Sequence, residues 1–501
     1  MPEMTEAVAA PEAAAAAPVP SLLETIIAEG IKPRDDDGRK HARASVQTLV
    51  EEIMKMNGAL TASKNSEEML RHCIKEIDNK ISTQLNEIMH APEFQKLEAS
   101  WRGLDYLVKK TETGETLKIR VLNASKQDLL KDAENAVEFD QSGLFKKVYE
   151  QEYGTFGGAP YGVLIGDYEF GGEPQDIVLL EKIAGAAAAA HAPFIAAAHP
   201  QLFNLESFGE LGAPRDLKKI FDNKNETKYV EWAAFRRTDD ARYVGLTLPH
   251  ILMRQPYGNE TVPVEAFDFE EDVNGKDHSK YLWGNAAYAF AERITNAFAK
   301  YNWCTAIRGV EGGGLVEGLP THSFRTDDGE VALKCPTEIA ITDRRENELA
   351  QLGFIPLIHC KGTNYAAFFG AASVNKAQKF FDEAANANAR LSAQLQYMLA
   401  TARFAHYLKA MMRDKIGSFM TRNECEKFLN AWIGNYVVAT EGVGQEYKAR
   451  YPLKEARIEV SEVPGKPGVY KAVAFLKPHY QLDELTVSLR LVAELPPPAT
   501  K

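Results

Sequence analysis

The sequence predicts a mixed α/β protein: N-terminal helices, a central α/β domain on a mixed sheet, a stretch of long helices and a β-rich C-terminal segment. Three patterns predict it. Apolar residues recur at helical spacing up to residue 112, short strand-like runs alternate with helical segments over 113–375, and apolar and polar residues alternate beyond residue 451. With 501 residues, 45% hydrophobic and 26% charged, the chain has an ordinary globular composition and length for two or three packed domains.

Residues 1–20 read as a disordered Ala/Pro tail, since Ala13 to Ala17 is closed off by Pro18 and Pro20 and the acidic start lacks the basic residues of a signal peptide. In the helical segment 21–112, Val46, Leu49, Val50, Ile53 and Met54 form one apolar stripe. A second helix begins near Asn65. Its residues Leu70, Ile74, Ile77, Ile81, Leu85 and Ile88 alternate spacings of four and three, a coiled-coil-like seam that needs a partner helix from this chain or from another subunit.

Over 113–375, Lys118 to Leu122, Val163 to Asp167 and Pro193 to Ala198 read as strands, with Lys126 to Val137, Asp176 to Ala190 and Asp216 to Phe221 as helices between them. Leu282 to Tyr301 reads as a helix and Ile355 to His359 as a strand. The Ala-rich run Ile183 to Ala198 is interrupted by His191 and Pro193 and falls short of the ~20 apolar residues of a membrane span. It reads as a tightly packed helix followed by a buried strand. In segment 376–450, Phe380, Phe381, Ala384, Leu391, Leu395, Met398 and Leu399 keep helical spacing through a helical region Lys376 to Lys415, Gly417 stops it, and Glu424 to Val438 makes one more helix.

In segment 451–501, Arg457 to Glu462, Tyr470 to Leu476 and Leu485 to Leu495 read as strands, the first two joined by Pro464-Gly465-Lys466-Pro467-Gly468. In the last, Leu485, Val487, Leu489 and Leu491 share one face before Pro496-Pro497-Pro498 ends it. Such a strand either closes its own sheet or pairs with the edge of a sheet in another molecule.

Chemistry is sparse by comparison. A net charge of −12, with Lys109-Lys110, Lys218-Lys219 and Arg344-Arg345 scattered among acidic residues, speaks against nucleic acid as a partner. Five widely separated cysteines without CxxC fit a reducing cytoplasm. Gly312-Gly313-Gly314 lacks a following Lys-Ser/Thr and is bracketed by Glu311 and Glu317, so a tight turn fits it better than a phosphate loop. No HExxH is present, His359 reads as a packed or capping residue, and Asp167 with Glu169 forms a strand-end carboxylate pair without an evident partner. Neither a catalytic residue, a metal ligand nor a cofactor is expected.

Glu93-Phe94-Gln95-Lys96-Leu97-Glu98-Ala99-Ser100-Trp101-Arg102-Gly103-Leu104 resembles a helix of the large subunit of the type VI secretion contractile sheath, the TssC or VipB family. Further blocks continue the resemblance: Leu164 to Phe170, Arg254-Gln255-Pro256-Tyr257-Gly258, Trp303 to Pro320, Arg344-Arg345-Glu346 and Arg413-Asp414. Together they cover roughly residues 36 to 495. His250 departs from the pattern, standing where Arg is expected and putting one ion pair in doubt. The resemblance implies a structural protein that pairs with a small sheath subunit and polymerises into a cytoplasmic helical tube. It implies as partners further copies of the heterodimer, an inner tube of hexameric rings, a baseplate and a recycling ring ATPase, with neither nucleic acid nor membrane. The seam Leu70 to Ile88 is the candidate small-subunit contact. The strand bearing Leu485, Val487, Leu489 and Leu491 is the candidate for exchange between protomers in a handshake-type sheet, with Pro478 to Asp483 as a flexible flank. Glu98, Trp101, Arg102, Gly312, Gly313, Gly314, Arg344 and Arg345 are expected as framework, with Glu98 paired to Arg102 and Trp101 as a large apolar anchor. A non-polymerising scaffold and an α/β enzyme working through Asp167 or Glu169 are the alternatives.

Overall fold

The computed structural model describes residues 27, 31–32, 35–56, 66–213, 215–223, 225–418, 420–440, 442–465 and 469–482. The Ala/Pro tail, the end of the Pro464-to-Gly468 turn and the strand carrying Leu485, Val487, Leu489 and Leu491 lie outside them, as does the side chain of Leu70. The chain divides into two compact units, 1–84 with 265–269, and 85–264 with 270–501.

Among its described residues the first unit has two helices. Helix α1 (Asp36–Met56) opens on Asp36 and Asp37, whose charges favour the positive end of the helix dipole. Helix α2 (Ser66–Met89) carries the seam, and its last five residues belong to the second unit.

In the second unit, α3 (Pro92–Lys110) starts with Pro at its first turn and ends on Lys109 and Lys110, both matched to the dipole. Its inner face is Ala99, Gly103 and Leu107. A Cβ at position 103 would lie 2.3 Å from the ring of Tyr288, so only glycine lets α3 reach that ring. Tyr288 sits on α7 (Ala287–Tyr301). Helix α4 (Lys126–Asn135) begins with a reciprocal capping box between Ser125 and Asp128.

The central sheet comprises β1 (Leu164–Phe170), β2 (Phe194–Ala198), β3 (Val244–Leu248), β4 (Leu315–Val316), β5 (Ile355–His359) and β6 (Ala366–Phe368). Its order is β1-β2-β3-β5-β6-β4, parallel through β5 and antiparallel beyond it, as a mixed sheet requires. All five residues of β2 and of β3 are buried, the composition of strands covered on both faces. Alternation then sorts the side chains. Phe194, Ala196 and Ala198 face a core with α5 (Pro174–Ala190) and α6 (Thr227–Phe235), while Ile195 faces a second core with Phe290 of α7. The Ala-rich run thus forms the packed helix and buried strand expected.

Three sequence expectations are corrected. Lys118 to Leu122 is neither strand nor helix and joins no ladder, with Val121 and Leu122 exposed. Leu282 to Tyr301 becomes helical only at Ala287, because Trp283–Gly284 pairs with Ile251–Leu252. Lys376 to Lys415 is two helices, α9 (Glu383–Ser392) and α10 (Leu395–Asp414), following α8 (Asp343–Gln351). The break arises where residues 371–373 reach the backbone between them: Ser373 N–H donates to Ala393 O and Leu395 N–H to Ala371 O, both at 2.8 Å. Phe380 and Phe381 precede α9 and are exposed rather than packed.

The C-terminal part builds its own core, where Trp303 stacks on Phe404 at 4.2 Å beside Leu429, Ile433 and Ile458. Helix α11 (Arg422–Gly434) has a Thr421/Glu424 capping box and lies against the hairpin of β7 (Leu453–Glu462) and β8 (Tyr470–Pro478). His406 of α10 is buried and donates from Nε2 to Ala190 O at 2.8 Å. Burial pushes its pKa down to about 4, and the neighbouring cations Arg403 and Lys409 add to this.

Candidate assembly surfaces

On α2, Ile74, Ile77 and Ile81 are exposed, as is Ile88 at 55%, while Leu85 is half-buried. Half-exposed isoleucines forgo roughly 1 kcal/mol per side chain relative to full burial. The seam is therefore a surface in want of a cover.

The Trp-Arg-Gly block behaves differently from expectation. Glu98 Oε1 does accept from Arg102 Nε, at 2.7 Å, but also from Arg254 Nε at 2.8 Å. Arg254 then forks onto Glu271 at 2.6 and 3.0 Å, and Glu271 also accepts the N–H of Tyr257 at 2.8 Å. Burial pulls the Arg254 pKa down, but the two carboxylates outweigh it and hold the guanidinium above its usual range. Trp101, expected as an anchor, is 65% exposed. Gly103 makes the buried contact, two residues along α3 from the exposed Trp101.

Beside Trp101 lies a cleft of about 2250 Å³, lined by residues of α3, of the segment 115–125 and of β1. Strand β1 ends the sheet, with β2 on one side only among the described residues. Its Ile165, Asp167 and Glu169 line the cleft, facing the unpaired Lys118-to-Leu122 stretch. An edge strand and a strand-like segment without a ladder thus flank one open space.

At the end of β1, Glu169 acquires the partner that the sequence did not disclose. His250 donates to Glu169 Oε1 at 3.0 Å and to Glu338 Oε2 at 2.6 Å, with its side chain only 16% exposed. Burial works against the imidazolium, but the hydrogen bonds and charges of both carboxylates raise its pKa to about 10. Burial likewise pushes the Glu169 carboxyl up, and His250 outweighs it and holds it below the usual range. The ion pair put in doubt by the missing Arg is therefore made by a charged histidine. A carboxylate locked in this way is a fastener rather than a general base.

The hairpin β7/β8 has two unlike edges. On β7, the Asn430 amide bonds both the C=O and N–H of Ile458, at 2.7 and 3.0 Å, Glu426 accepts the Val460 N–H at 3.1 Å, and Val438 donates to Leu453 O at 2.9 Å. That edge is sealed by α11 and the residues after it. The outer edge of β8 has no ladder partner among the described residues, and Val473 and Phe475 beside it are exposed.

Of the remaining expected framework residues, Arg345 donates to Arg215 O, Ala213 O and Glu348, tying Ala213 and Arg215 to α8, while Arg344 is exposed. Gly312 to Gly314 form a tight loop in which Gly313 has φ 91°. His359 donates to Thr363 O at 2.7 Å, closing the turn after β5. Among the described residues no group of three or more His, Cys, Asp or Glu is placed to hold a metal, and no helix is long and apolar enough to cross a membrane.

Exposed isoleucines on α2, a cleft beside an edge strand and a hairpin edge without a ladder partner among the described residues are surfaces of the kind that proteins use to contact one another. Comparison with known proteins gives the particular kind. Residues 71–375 match the family described as EvpB/VC_A0108, tail sheath N-terminal domain, and residues 384–495 the EvpB/VC_A0108 tail sheath gpW/gp25-like domain. The type VI secretion system sheath protein TssC1 of Pseudomonas aeruginosa is 50% identical over 479 residues, covering 95% of each chain. A chain of the anti-feeding prophage baseplate aligns over 78% of this chain and 86% of its own at 9% identity and TM-score 0.37, and one of the contracted prophage sheath over 62% and 66% at 10% and 0.29. The chain belongs to the TssC/VipB family of type VI secretion sheath large subunits, which are structural proteins and not enzymes.

Proposed function

We propose that this chain pairs with a small sheath subunit and that the pairs link into a cytoplasmic helical tube by exchanging C-terminal strands. The exposed isoleucines of α2 and the cleft beside Trp101 receive the small subunit, which supplies a strand between β1 and Lys118 to Leu122. The strand Leu485 to Leu495 of one protomer adds to β8 of another. The observation that carries this reading is the edge of β8, which has no ladder partner among the described residues, beside the sealed edge of β7. Eight or so added residues, at ~1 kcal/mol net per hydrogen bond, supply several kcal/mol per link before apolar contacts. Contacts that are head-to-tail and do not close generate a helix. The tube encloses hexameric inner rings, starts on a baseplate, contracts by exchanging one set of packed interfaces for another, and is recycled by a separate ring ATPase.

Negative-stain microscopy of the chain co-expressed with its small partner tests this. Hollow ridged tubes are expected from the full chain, and a folded heterodimer without tubes after deletion of residues 485–501. Tubes that persist in the deletion refute strand exchange.

A further inference from the structure

Arg308 is 8% exposed although it carries a full charge. Its guanidinium donates to the carbonyl of Leu482 at 3.0 Å and to Gln394 Oε1 at 3.4 Å. The preceding Gln481 is held twice: its N–H donates to the Tyr397 hydroxyl at 3.1 Å, and its side-chain amide donates to Thr305 O at 2.9 Å. The chain leaving β8 is therefore fastened to the body at two successive residues, where a flexible flank was expected. Residues 483–501 follow directly.

The glycine run explains how Arg308 comes to be there. Gly309 and Gly313 have φ of 73° and 91°, conformations that L side chains rarely adopt. Gly309 N–H donates to Phe368 O at 2.7 Å, and Gly314 N–H to Gly309 O at 2.8 Å, folding the loop back on itself beside β6. A Cβ on Gly314 would lie 2.5 Å from Phe368 O and 2.8 Å from the Arg308 Cα, and one on Gly313 would lie 2.2 Å from Ala306 O. Gly312 meets nothing within 4 Å. Two of the three glycines thus hold the backbone on either side of Arg308 by close approach, and no ligand is needed to account for them.

We propose that the 306–314 loop is a backbone device that seats Arg308 as a positioning residue, clasping the root of the C-terminal arm. The proposal rests on the strand-exchange reading. Tension on an unclasped arm would enter at Pro478 and peel β8 from β7 one hydrogen bond at a time. With residues 481 and 482 clasped, the same pull reaches α10 and the residues after α7 first, and a charge-assisted bond resists it. The loop thus sets both the point from which the exchanged strand departs and the path by which force enters the subunit.

The test compares Arg308→Ala, Arg308→Lys, Gln481→Ala and Gly314→Ala with wild type, each co-expressed with the small partner, by hydrogen exchange and negative-stain microscopy. The expected result is a folded heterodimer in which the Gln481 amide exchanges at least tenfold faster and tubes are fewer and shorter, with Arg308→Lys intermediate. Unchanged exchange at Gln481 in Arg308→Ala overturns the clasp, as do wild-type tubes despite faster exchange. Loss of the heterodimer in both Arg308→Ala and Gln481→Ala also overturns it, by assigning these residues to the fold. Deletion of residues 485–501 keeps the levels apart: tubes surviving the deletion refute strand exchange itself, whereas tubes lost in the deletion but intact in Arg308→Ala refute only the clasp.

Discussion

His250 offers a measurable test of how the edge strand is held. Its imidazolium lies between Glu169 and Glu338 and has a pKa of about 10, against about 6.5 in an unfolded chain. A pKa raised by folding means the native state binds the proton more tightly. The stabilisation is therefore complete below pH 6.5 and is lost as pH climbs through 10. At about 1.4 kcal/mol per pH unit the ceiling is about 5 kcal/mol, and because Glu169 is 37% exposed and screened by water, we expect roughly half of it. Urea unfolding at pH 6.5, 8 and 9.5 reads this directly. Wild type should lose ~2–3 kcal/mol across the series relative to His250→Ala, which should start about 3 kcal/mol lower because Glu169 and Glu338 lose the cation they share. His250→Arg should keep the stability and abolish the dependence. Parallel loss in wild type and His250→Ala would show that other groups titrate and that the clamp is neutral.

Two further outcomes are expected. Trp101→Ala should cost the free chain less than about 1 kcal/mol, since the ring is exposed, yet weaken small-subunit binding at least tenfold in calorimetry. Gly103→Ala should destabilise by ~1–3 kcal/mol despite a helix-propensity gain of about 1, because the methyl meets Tyr288, and the reverse ranking in thermal melts would overturn the assignment of these faces. His406, with its pKa depressed to about 4, contributes stability that is present above pH 6.5 and lost as pH falls through 4. His406→Gln should remove ~3 kcal/mol of that acid sensitivity, and an unchanged acid limb would contradict the buried neutral imidazole.

Elements whose partners lie in the same chain were legible in the sequence. The buried runs Phe194–Ala198 and Ile355–His359 and the alanine helix declare themselves by unbroken apolar composition, and the β7/β8 hairpin by strand composition on either side of a Pro/Gly turn. Misreadings cluster where the apolar signal has another destination. Lys118 to Leu122 has strand composition but no strand beside it, and Phe380 and Phe381 have core composition but face outward. Periodicity reports that a surface wants covering; it does not say by what. The ion-pair networks were illegible for a different reason, since Arg254–Glu98 and His250–Glu338 join residues 156 and 88 positions apart. The Trp-Arg-Gly block illustrates both limits: tryptophan drew attention by size, whereas the neighbouring glycine does the packing.

The asymmetry of the C-terminal hairpin has a bearing on polarity. A sheet with one side shut admits a single newcomer, and a subunit with one C-terminal arm lends a single strand. On the strand-exchange reading every link in a row then points the same way, from lender to borrower, and a growing row has one end that can only receive and another that can only offer. Such a filament is directional before any baseplate touches it, and the shut side also denies runaway stacking of further strands, the route by which open edges lead to amyloid.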